Sequence, residues 1–169
     1  VERVLQMARL DKEDIGLKKE KVDVHQIIRD AIQNTALSLK ERNGHIQCDL
    51  QAGEHIIEAD RLHLTNVLYN LIDNAIKYCQ EPPMISIATS NDKRFLCIEV
   101  TDNGLGIARE NHKKVFQKFY RVPTGNVHDV KGFGLGLHYV RSVVDAHKGV
   151  IRLKSDLDEG SLFILNLPL

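Results

Sequence analysis

Apolar side chains recur at a spacing of three and four residues in three stretches of the chain. This spacing places them on one face of an α-helix. Residues that start or stop helices bound the stretches: an Asp precedes the first two, and Gly or Pro follows all three. The pattern predicts amphipathic helices over residues 24–39, from Asp60 to near Pro82-Pro83, and over residues 135–147.

Between the helices, apolar residues alternate with polar ones or form short continuous runs, as they do in β-strands. The segment 95–101 is apolar at nearly every position, which is typical of a central strand. Turn signals at Asn91-Asp92-Lys93 and Asp158-Glu159-Gly160 join neighbouring segments into hairpins. The predicted strands cover residues 45–50, 56–57, 84–89, 95–101, 150–154 and 161–167.

The order of these elements lacks the steady strand–helix–strand alternation of a doubly wound parallel sheet. We therefore predict an α+β fold: a two-layer sandwich in which a mixed, mostly antiparallel sheet of about five strands is covered on one face by three helices. A short helical pattern containing Val115, Phe116 and Phe119 comes before an aperiodic stretch over residues 121–134. Residues 1–20 carry a helical stripe that fades into charged residues, so the predicted domain covers residues 21–169.

Length and charge restrict the function classes. A chain of 169 residues is enough for one substantial domain and too short for two. Its 23 basic residues balance its 23 acidic ones, which argues against a nucleic-acid binder. Neither a bilayer-spanning apolar run nor a signal-peptide pattern is visible, so we predict a cytoplasmic piece without membrane contact.

The three cysteines, Cys48, Cys79 and Cys97, are widely spaced, odd in number and set among apolar neighbours. Disulfide scaffolds and zinc sites use paired cysteines at short characteristic spacings. We therefore predict three buried thiols in a reducing compartment.

A polar stripe runs along the second predicted helix. Asn66, Asn70, Asn74 and Lys77 follow at spacings of four, four and three residues, which places them on one face opposite the leucines. Asn is a poor helix former, so the stripe is either a solvated face or a binding surface. Amide oxygens and an ammonium group suit a hydrated Mg²⁺ and its phosphates, and Asn74 is the predicted direct ligand.

Two glycine-containing segments suggest ligand contacts. Asp102 opens a turn with Gly104 and Gly106 directly after an apolar strand, where a carboxylate is either solvent-facing or in need of a donor such as a ligand amine. The segment 132–137 (GFGLGL) opens a helix, where free backbone amides favour phosphate. Neither the dinucleotide-binding fingerprint nor the P-loop pattern is present.

Five short segments occur in a fixed order: NLIDNAIKY at 70–78, DNGLG at 102–106, FQKFYR at 116–121, GFGLGL at 132–137 and GSLF at 160–163. In this set and order the chain resembles the catalytic, ATP-binding domain of bacterial sensor histidine kinases, within the GHKL superfamily. The resemblance covers about residues 21–169. Residues 1–20 resemble the end of the dimerisation and phosphoacceptor helix, with its linker, that precedes this domain in the family.

The resemblance implies roles for individual residues in binding Mg²⁺ and phosphate. Asn74 is expected on Mg²⁺, Asn70 near the metal or its waters, and Lys77 on phosphate. Arg121 is expected to reach phosphate as well, which makes Asn70, Lys77 and Arg121 the expected catalytic residues. The stretch around residues 120–134 is expected to form the ATP lid.

The resemblance also implies how the base is recognised. Tyr78 is expected to flank adenine, and Asp102 to accept a hydrogen bond from its exocyclic amine. Ser161 stands where the family usually has Thr and is expected to help through water. The remaining expected nucleotide contacts are Gly104, Gly106, Ile107, Gly132, Gly134, Leu135, Gly136 and Leu137.

One part of the family pattern is missing. None of the eight histidines has the acidic neighbour and nearby Pro of the phosphoacceptor motif, so each is predicted to be a surface or capping residue. The chain is therefore expected to bind ATP with Mg²⁺ and to phosphorylate a histidine on a separate dimerisation domain, for relay to a response regulator. By the same resemblance the full protein is expected to be a homodimeric, membrane-anchored sensor.

Two other functions remain open. A GHKL-type ATPase would carry a Glu at the position of Asn70 to activate water, and a neutral amide cannot act as that base. A nucleotide-binding pseudokinase or sensing module would keep the pocket without transferring phosphate. A Ser/Thr-type kinase of the same superfamily is disfavoured by the helix-like residues 1–20.

Overall fold

The computed structural model describes residues 15–123 and 132–169. Within these ranges the chain forms three α-helices, seven strands and two short 3₁₀ turns at Arg109–Asn111 and Lys114–Phe116. The helices and strands are, in chain order, β1 (Glu20–Asp23), α1 (Val24–Glu41), β2 (His45–Leu50), β3 (Ile56–Ala59), α2 (Arg61–Lys77), β4 (Met84–Asp92), β5 (Phe95–Asp102), α3 (Gly136–Ala146), β6 (Val150–Ser155) and β7 (Ser161–Pro168).

The main sheet has five strands in the order β2-β4-β5-β7-β6. Strands β2 and β4 run parallel, and all other neighbours are antiparallel. The sheet is thus mixed and mostly antiparallel, and β5 occupies its centre, as the apolar run predicted. The predicted fold class is confirmed.

The helices cover one face of this sheet. Along β4 and β7 alternate residues are buried, which shows that only one face of each strand meets the core. Helix α2 packs between α1 and α3. Their apolar stripes meet the sheet in a single core whose fully buried members include Ile27, Leu68, Leu71, Ile98 and Leu165.

A separate two-stranded sheet joins β1 to β3 in antiparallel register, with Val22 opposite Ile57. The sequence predicted an extended segment at 56–57 but no strand at β1. The sequence of β1, EKVD, has one apolar residue and no strand pattern, and it becomes a strand only through pairing with β3.

Helix α2 ends at Lys77, earlier than the Pro82-Pro83 signal suggested. The end is fixed by other groups: the backbone N–H of Tyr78 closes the last turn on the carbonyl of Asn74, and the Arg42 guanidinium donates to the carbonyls of Ile76 and Cys79. A side chain distant in sequence therefore caps the helix that carries the polar stripe.

Two turn regions also differ from the sequence pattern. Lys93 has a φ of 52°, and it forms the β4–β5 turn with Arg94, while Asn91 and Asp92 belong to β4. The predicted short helix around residues 115–119 is a 3₁₀ turn that buries Val115 and Phe116. Phe119 has a φ of 62° and is 64% exposed.

Burial corrects two predictions about cysteine and histidine. Cys79 is buried and Cys97 half-buried, but Cys48 is exposed because β2 is an edge strand. His25 is buried and not at the surface, because its ring lies beneath the start of α1 against Thr89. His147 is the C-cap of α3, which agrees with the prediction that the histidines are surface or capping residues. His128 lies outside the described residues.

Among the helices in the described part of the chain, none is both long and apolar enough to cross a lipid bilayer.

Asp60 fixes the start of α2. Its carboxylate accepts hydrogen bonds from the backbone N–H of His63 at 3.0 Å and of Lys18 at 2.8 Å. Burial pushes its pKa upward, but these hydrogen bonds dominate and hold the pKa below its ordinary value. The carboxylate therefore stabilises the fold at pH values above its unfolded pKa, and this contribution disappears as pH falls through the lowered pKa.

We expect Asp60→Ala to lower the free energy of unfolding by about 1–2 kcal/mol at pH 7, because α2 loses its N-cap. The difference from wild type should shrink as pH falls below about 4, the unfolded-state pKa, and continue to shrink through the lowered folded-state pKa. Urea unfolding over a pH series measures both effects. Asp60→Asn, which retains a capping oxygen, is the control; equal losses in Asn and Ala variants would contradict the capping role.

Candidate functional site: a nucleotide cavity between α2 and α3

A cavity of about 280 Å³ lies between the polar stripe of α2, the turn after β5 and the start of α3. The predicted nucleotide residues line it, with the exception of Gly104. Seven further residues line the cavity that the sequence analysis did not predict as nucleotide contacts: Asp73, Leu105, Val115, Tyr120, Val122, Phe133 and Phe163. Most of these are apolar, and they supply the flat walls that an aromatic base requires.

Asp102 is the last residue of β5 and lies at the inner end of the cavity. Its Oδ1 accepts hydrogen bonds from the backbone N–H of Gly104 at 2.8 Å and of Ser161 at 3.1 Å. Burial raises its pKa, although the two hydrogen bonds oppose the shift. Among the described residues, Oδ2 receives no hydrogen bond from the protein, so this oxygen is available to a donor on a ligand.

Gly104 is buried behind the cavity wall. A Cβ at this position would lie 2.9 Å from the Tyr78 carbonyl oxygen. The same carbonyl accepts a hydrogen bond from the backbone N–H of Leu105 at 3.0 Å. Gly104 therefore lets the Asp102 turn pack against the end of α2, and it supports the pocket without lining it.

The polar stripe of α2 faces the start of α3. The side-chain Nδ2 of Asn70 donates to the Asn66 carbonyl at 2.7 Å, which leaves Oδ1 directed away from α2's backbone. A Cβ on Gly136 would lie 3.0 Å from this Oδ1, so the glycine allows the two helices to approach here. Lys77 forms an ion pair with Asp73 one turn earlier.

These side chains fit a magnesium ion. Asn70, Asn74 and Asp73 offer amide and carboxylate oxygens from one helix face to the cavity. Mg²⁺ prefers oxygen ligands, keeps several of its waters and is commonly held by one or two protein groups together with substrate phosphates. Lys77 lies on the same face, where its ammonium group could leave Asp73 and bind a phosphate oxygen instead.

Ser155, which the sequence analysis did not identify, organises the far side of the cavity. Its hydroxyl donates to the Gly160 carbonyl at 2.6 Å and accepts from the backbone N–H of Ile107 at 2.8 Å. The Ser161 hydroxyl lies 3.0 Å away and must be the donor, because the one proton of Ser155 is already used. Ser161 thus keeps its lone pairs for water or a ligand.

The start of α3 offers backbone donors to the cavity. Its N-cap residue, Leu135, makes no side-chain capping hydrogen bond, so the amides of the first turn depend on another acceptor. Gly134 has a φ of 70°, and its carbonyl accepts from the backbone N–H of Phe119 at 3.0 Å. Uncapped amides and the positive end of the helix dipole favour an anion such as phosphate.

Arg121 also lines the cavity and is exposed. The predicted lid covers about residues 120–134, of which 124–131 lie outside the described residues. The backbone of Phe119 and Tyr120 packs against Gly134, so the two described ends of this segment meet at the cavity.

Comparison with known families shows which family the chain belongs to. Residues 59–169 match the family described as histidine kinase-, DNA gyrase B- and HSP90-like ATPases. This chain is a member of that family. The match includes every residue that lines the cavity. The five-stranded, mostly antiparallel sheet with its helices is therefore the fold of this family.

Among individual proteins, the chain is 48% identical over its whole length to the sensor protein RprX of Bacteroides fragilis. It is 31% identical over 99% of its length to the sensor histidine kinase WalK of Bacillus subtilis. It spans only 33% of RprX and 28% of WalK, so these relatives are about three to four times as long.

The structure is also similar to that of full-length ShkA, solved in complex with AMPPNP. The TM-score is 0.85 at 25% sequence identity, over 98% of this chain and 34% of ShkA. The similarity therefore extends over the whole described fold.

Proposed function

We propose that this chain is the ATP-binding catalytic domain of a two-component sensor histidine kinase. One observation carries the proposal: a half-buried carboxylate, a stripe of amide oxygens with a lysine, and an uncapped helix start all face one cavity. These three features match the three parts of Mg-ATP, namely the adenine amine, the metal and the phosphates. The similarity to sensor proteins and to ShkA, whose structure was solved with the ATP analogue AMPPNP, supports the same conclusion.

Adenine would enter on the Asp102 side of the cavity. The proposed hydrogen bond runs from the exocyclic amine to Oδ2 of Asp102, since Oδ1 is occupied by two backbone donors. Tyr78 and Ile107 would flank the ring, and Ser161 would contribute through water, as the resemblance implied. Guanine carries a carbonyl oxygen where adenine has this amine, so an ionised Asp102 disfavours it.

The phosphates would lie between α2 and α3. In this arrangement Asn74 binds Mg²⁺, Asn70 contacts the metal or its waters, and the α3 amides with Lys77 and Arg121 contact the phosphates. The bound metal would neutralise charge on the phosphate oxygens. Gly132, Gly134, Gly136, Leu135 and Leu137 would form the loop and helix start beneath them.

The proposed reaction is in-line transfer of the terminal phosphoryl group to a histidine nitrogen. The nitrogen attacks phosphorus, the bond to the bridging oxygen breaks, and ADP leaves. Lys77 and Arg121 stabilise the developing charge, while Asn70 cannot act as a general base toward water. We place the acceptor histidine on a separate dimerisation domain, from which a response regulator would receive the phosphoryl group.

We further propose that residues 21–169 form the catalytic domain and residues 1–20 the end of the preceding helix with its linker. The first fourteen residues lie outside the described ones, whereas β1 begins at Glu20. The lid over residues 120–134, the homodimer and the membrane anchor of the full protein stay predictions.

The direct test is calorimetric titration of the chain with a non-hydrolysable ATP analogue, with and without Mg²⁺, and with the matching GTP analogue. We expect saturable binding that prefers adenine and strengthens with Mg²⁺. Absence of binding at millimolar nucleotide would contradict the proposal. Phosphohistidine should then form when a phosphoacceptor domain is supplied; binding without transfer would favour the sensing module, and steady hydrolysis the ATPase.

Asn74→Ala is expected to remove most of the effect of Mg²⁺. In the presence of Mg²⁺ the analogue should bind about tenfold more weakly than to wild type, because one oxygen ligand is lost. Without Mg²⁺ the two proteins should bind alike. Asn34→Ala, which removes an exposed asparagine of α1, is the matched control. An undiminished Mg²⁺ effect in Asn74→Ala would exclude Asn74 as the ligand.

A further inference from the structure

Three potential metal ligands meet at the junction of β1, α1 and β3, in a region that the nucleotide site does not use. Within the described residues, Asp23, His25 and His55 form the one group of three such side chains, and their ligand atoms all lie within 4.8 Å of one another. Asp23 is the N-cap of α1, His25 lies in its first turn, and His55 directly precedes β3.

The spacing within the cluster suits a shared ion. Oδ1 of Asp23 and Nδ1 of His55 are 2.9 Å apart. Two ligand atoms that each lie about 2.0–2.2 Å from one tetrahedral zinc ion are separated by about 3.4 Å, so an ion could replace the proton between them if the two atoms moved apart by about 0.5 Å. The rings of His25 and His55 stack with centroids 4.0 Å apart and an interplanar angle of 12°. The lone pairs of two parallel rings do not converge, so binding of a shared ion requires the more exposed His55 ring to tilt out of the stack.

The His25 ring is already oriented by a partner outside the cluster. Its Nε2 lies 2.9 Å from the Thr89 hydroxyl, which also accepts from the backbone N–H of Ala52 at 3.3 Å. This leaves Nδ1 as the ring atom of His25 that can bind an ion. A metal-bound histidine usually has its other nitrogen fixed by such a hydrogen bond, which sets the ring orientation.

The cluster is accessible from solvent. The side chains of His55 and Asp23 are 30% and 42% exposed, so an ion could enter from solvent.

The position is separate from the nucleotide cavity. Thr89 lies four residues along β4 from Ile85, which is the partner of Asp102. At about 3.4 Å per residue, this corresponds to roughly 13 Å along the strand. An ion bound here would therefore join the start of α1 to the segment before β3, and it would not contact the nucleotide.

We propose that Asp23, His25 and His55 form a binding site for a transition-metal dication of the Zn²⁺ type. Two imidazoles and one carboxylate supply three protein ligands, and the fourth position remains open to water or another ligand. Binding moves the ring proton of His55 from Nδ1 to Nε2, which frees the Nδ1 lone pair for the ion. Because the site exists only in the folded chain, Zn²⁺ should raise the unfolding midpoint.

The test is calorimetric titration of the chain with Zn²⁺ alone. Excess Mg²⁺ saturates the oxygen-rich nucleotide cavity, and a Cys48→Ser background removes the exposed thiol. We expect one Zn²⁺ per chain. His55→Gln and Asp23→Asn should each weaken binding by roughly tenfold or more, because each lacks one ligand. Asn retains the N-cap of α1, so the second variant should fold normally.

His45→Gln, which removes an exposed histidine of β2, is the matched control and should bind as wild type does. Co²⁺ provides an independent readout, since nitrogen and oxygen ligands give visible d–d bands without thiolate charge-transfer absorption. The proposal is wrong if no single equivalent binds, if both ligand variants bind as tightly as wild type, or if Co²⁺ reports a thiolate.

Discussion

Replacing Asp102 with Asn is expected to weaken binding of a non-hydrolysable ATP analogue by about 100-fold. Oδ1 of the Asn side chain can still accept from the backbone N–H of Gly104 and Ser161, so the turn should keep its shape. The NH₂ group would then replace Oδ2 and meet the adenine amine donor to donor. The large effect follows because a charged acceptor is lost and a polar mismatch is created at a half-buried position that the bound base would cover.

The same substitution should not weaken the fold. Burial raises the folded-state pKa of Asp102, so ionisation of this carboxyl opposes folding at pH values above its unfolded pKa. A neutral Asn avoids this penalty, and we expect Asp102→Asn to unfold at a urea concentration no lower than wild type at pH 7. Nucleotide recognition and stability thus oppose each other at this residue.

Calorimetry with ATP and GTP analogues checks the binding prediction, and urea unfolding checks the stability. The preference for adenine should also fall, because the new NH₂ group can donate to the carbonyl oxygen of guanine. Unchanged affinity for the ATP analogue would refute the role of Asp102. A large loss of stability would instead attribute weak binding to a damaged turn.

Local signals made the helices predictable from the sequence. Asp23 and Asp60 each precede an apolar stripe, and both side chains cap their helices in the structure. The apolar run of β5 likewise indicated its central place in the sheet. These features depend on neighbours within a few residues, which is the range over which sequence patterns carry information.

Features set by distant contacts were not predictable. Strand β1 exists through its pairing with β3, and the end of α2 is fixed by Arg42, thirty-four residues before the Ile76 carbonyl that it contacts. Cys48 alternates with the apolar Ile46 and Leu50 along its strand, but that strand is at the edge of the sheet. Each outcome depends on which segments meet in space, and propensity alone does not encode this.

The same distinction between local signals and distant contacts applies to the candidate site. Its charged and glycine residues were predicted from ordered short segments, and the structure brings them to one cavity apart from Gly104. The apolar walls and Ser155 were missed, because Ser155 carries no sequence signal of its own. It acts by linking Ile107, Gly160 and Ser161 across two segments that are distant in sequence.

Gly106→Ala should be the most disruptive of the small substitutions in the cavity wall. Gly106 has a φ of 69°, and an added Cβ would lie 1.9 Å from the Asp156 carbonyl oxygen. A left-handed backbone costs Ala about 1–2 kcal/mol, and displacing a backbone carbonyl adds about 1–3 kcal/mol. We therefore expect a loss of about 3 kcal/mol in the free energy of unfolding, measured with urea.

The expected effect of Gly106→Ala on nucleotide affinity follows from the position of the backbone shift. Leu105 accepts a hydrogen bond from the Asp158 N–H at 2.8 Å, so a shift at residue 106 separates the Asp102 turn from the β6–β7 hairpin that carries Ser161. Nucleotide affinity should fall with stability, even where the chain remains folded. Gly53→Ala is the control, since its Cβ would meet only Asn91 Oδ1 at 4.0 Å. Equal stability of the two variants would contradict the prediction, because it would show that the β6–β7 hairpin accommodates the added Cβ at no cost in stability.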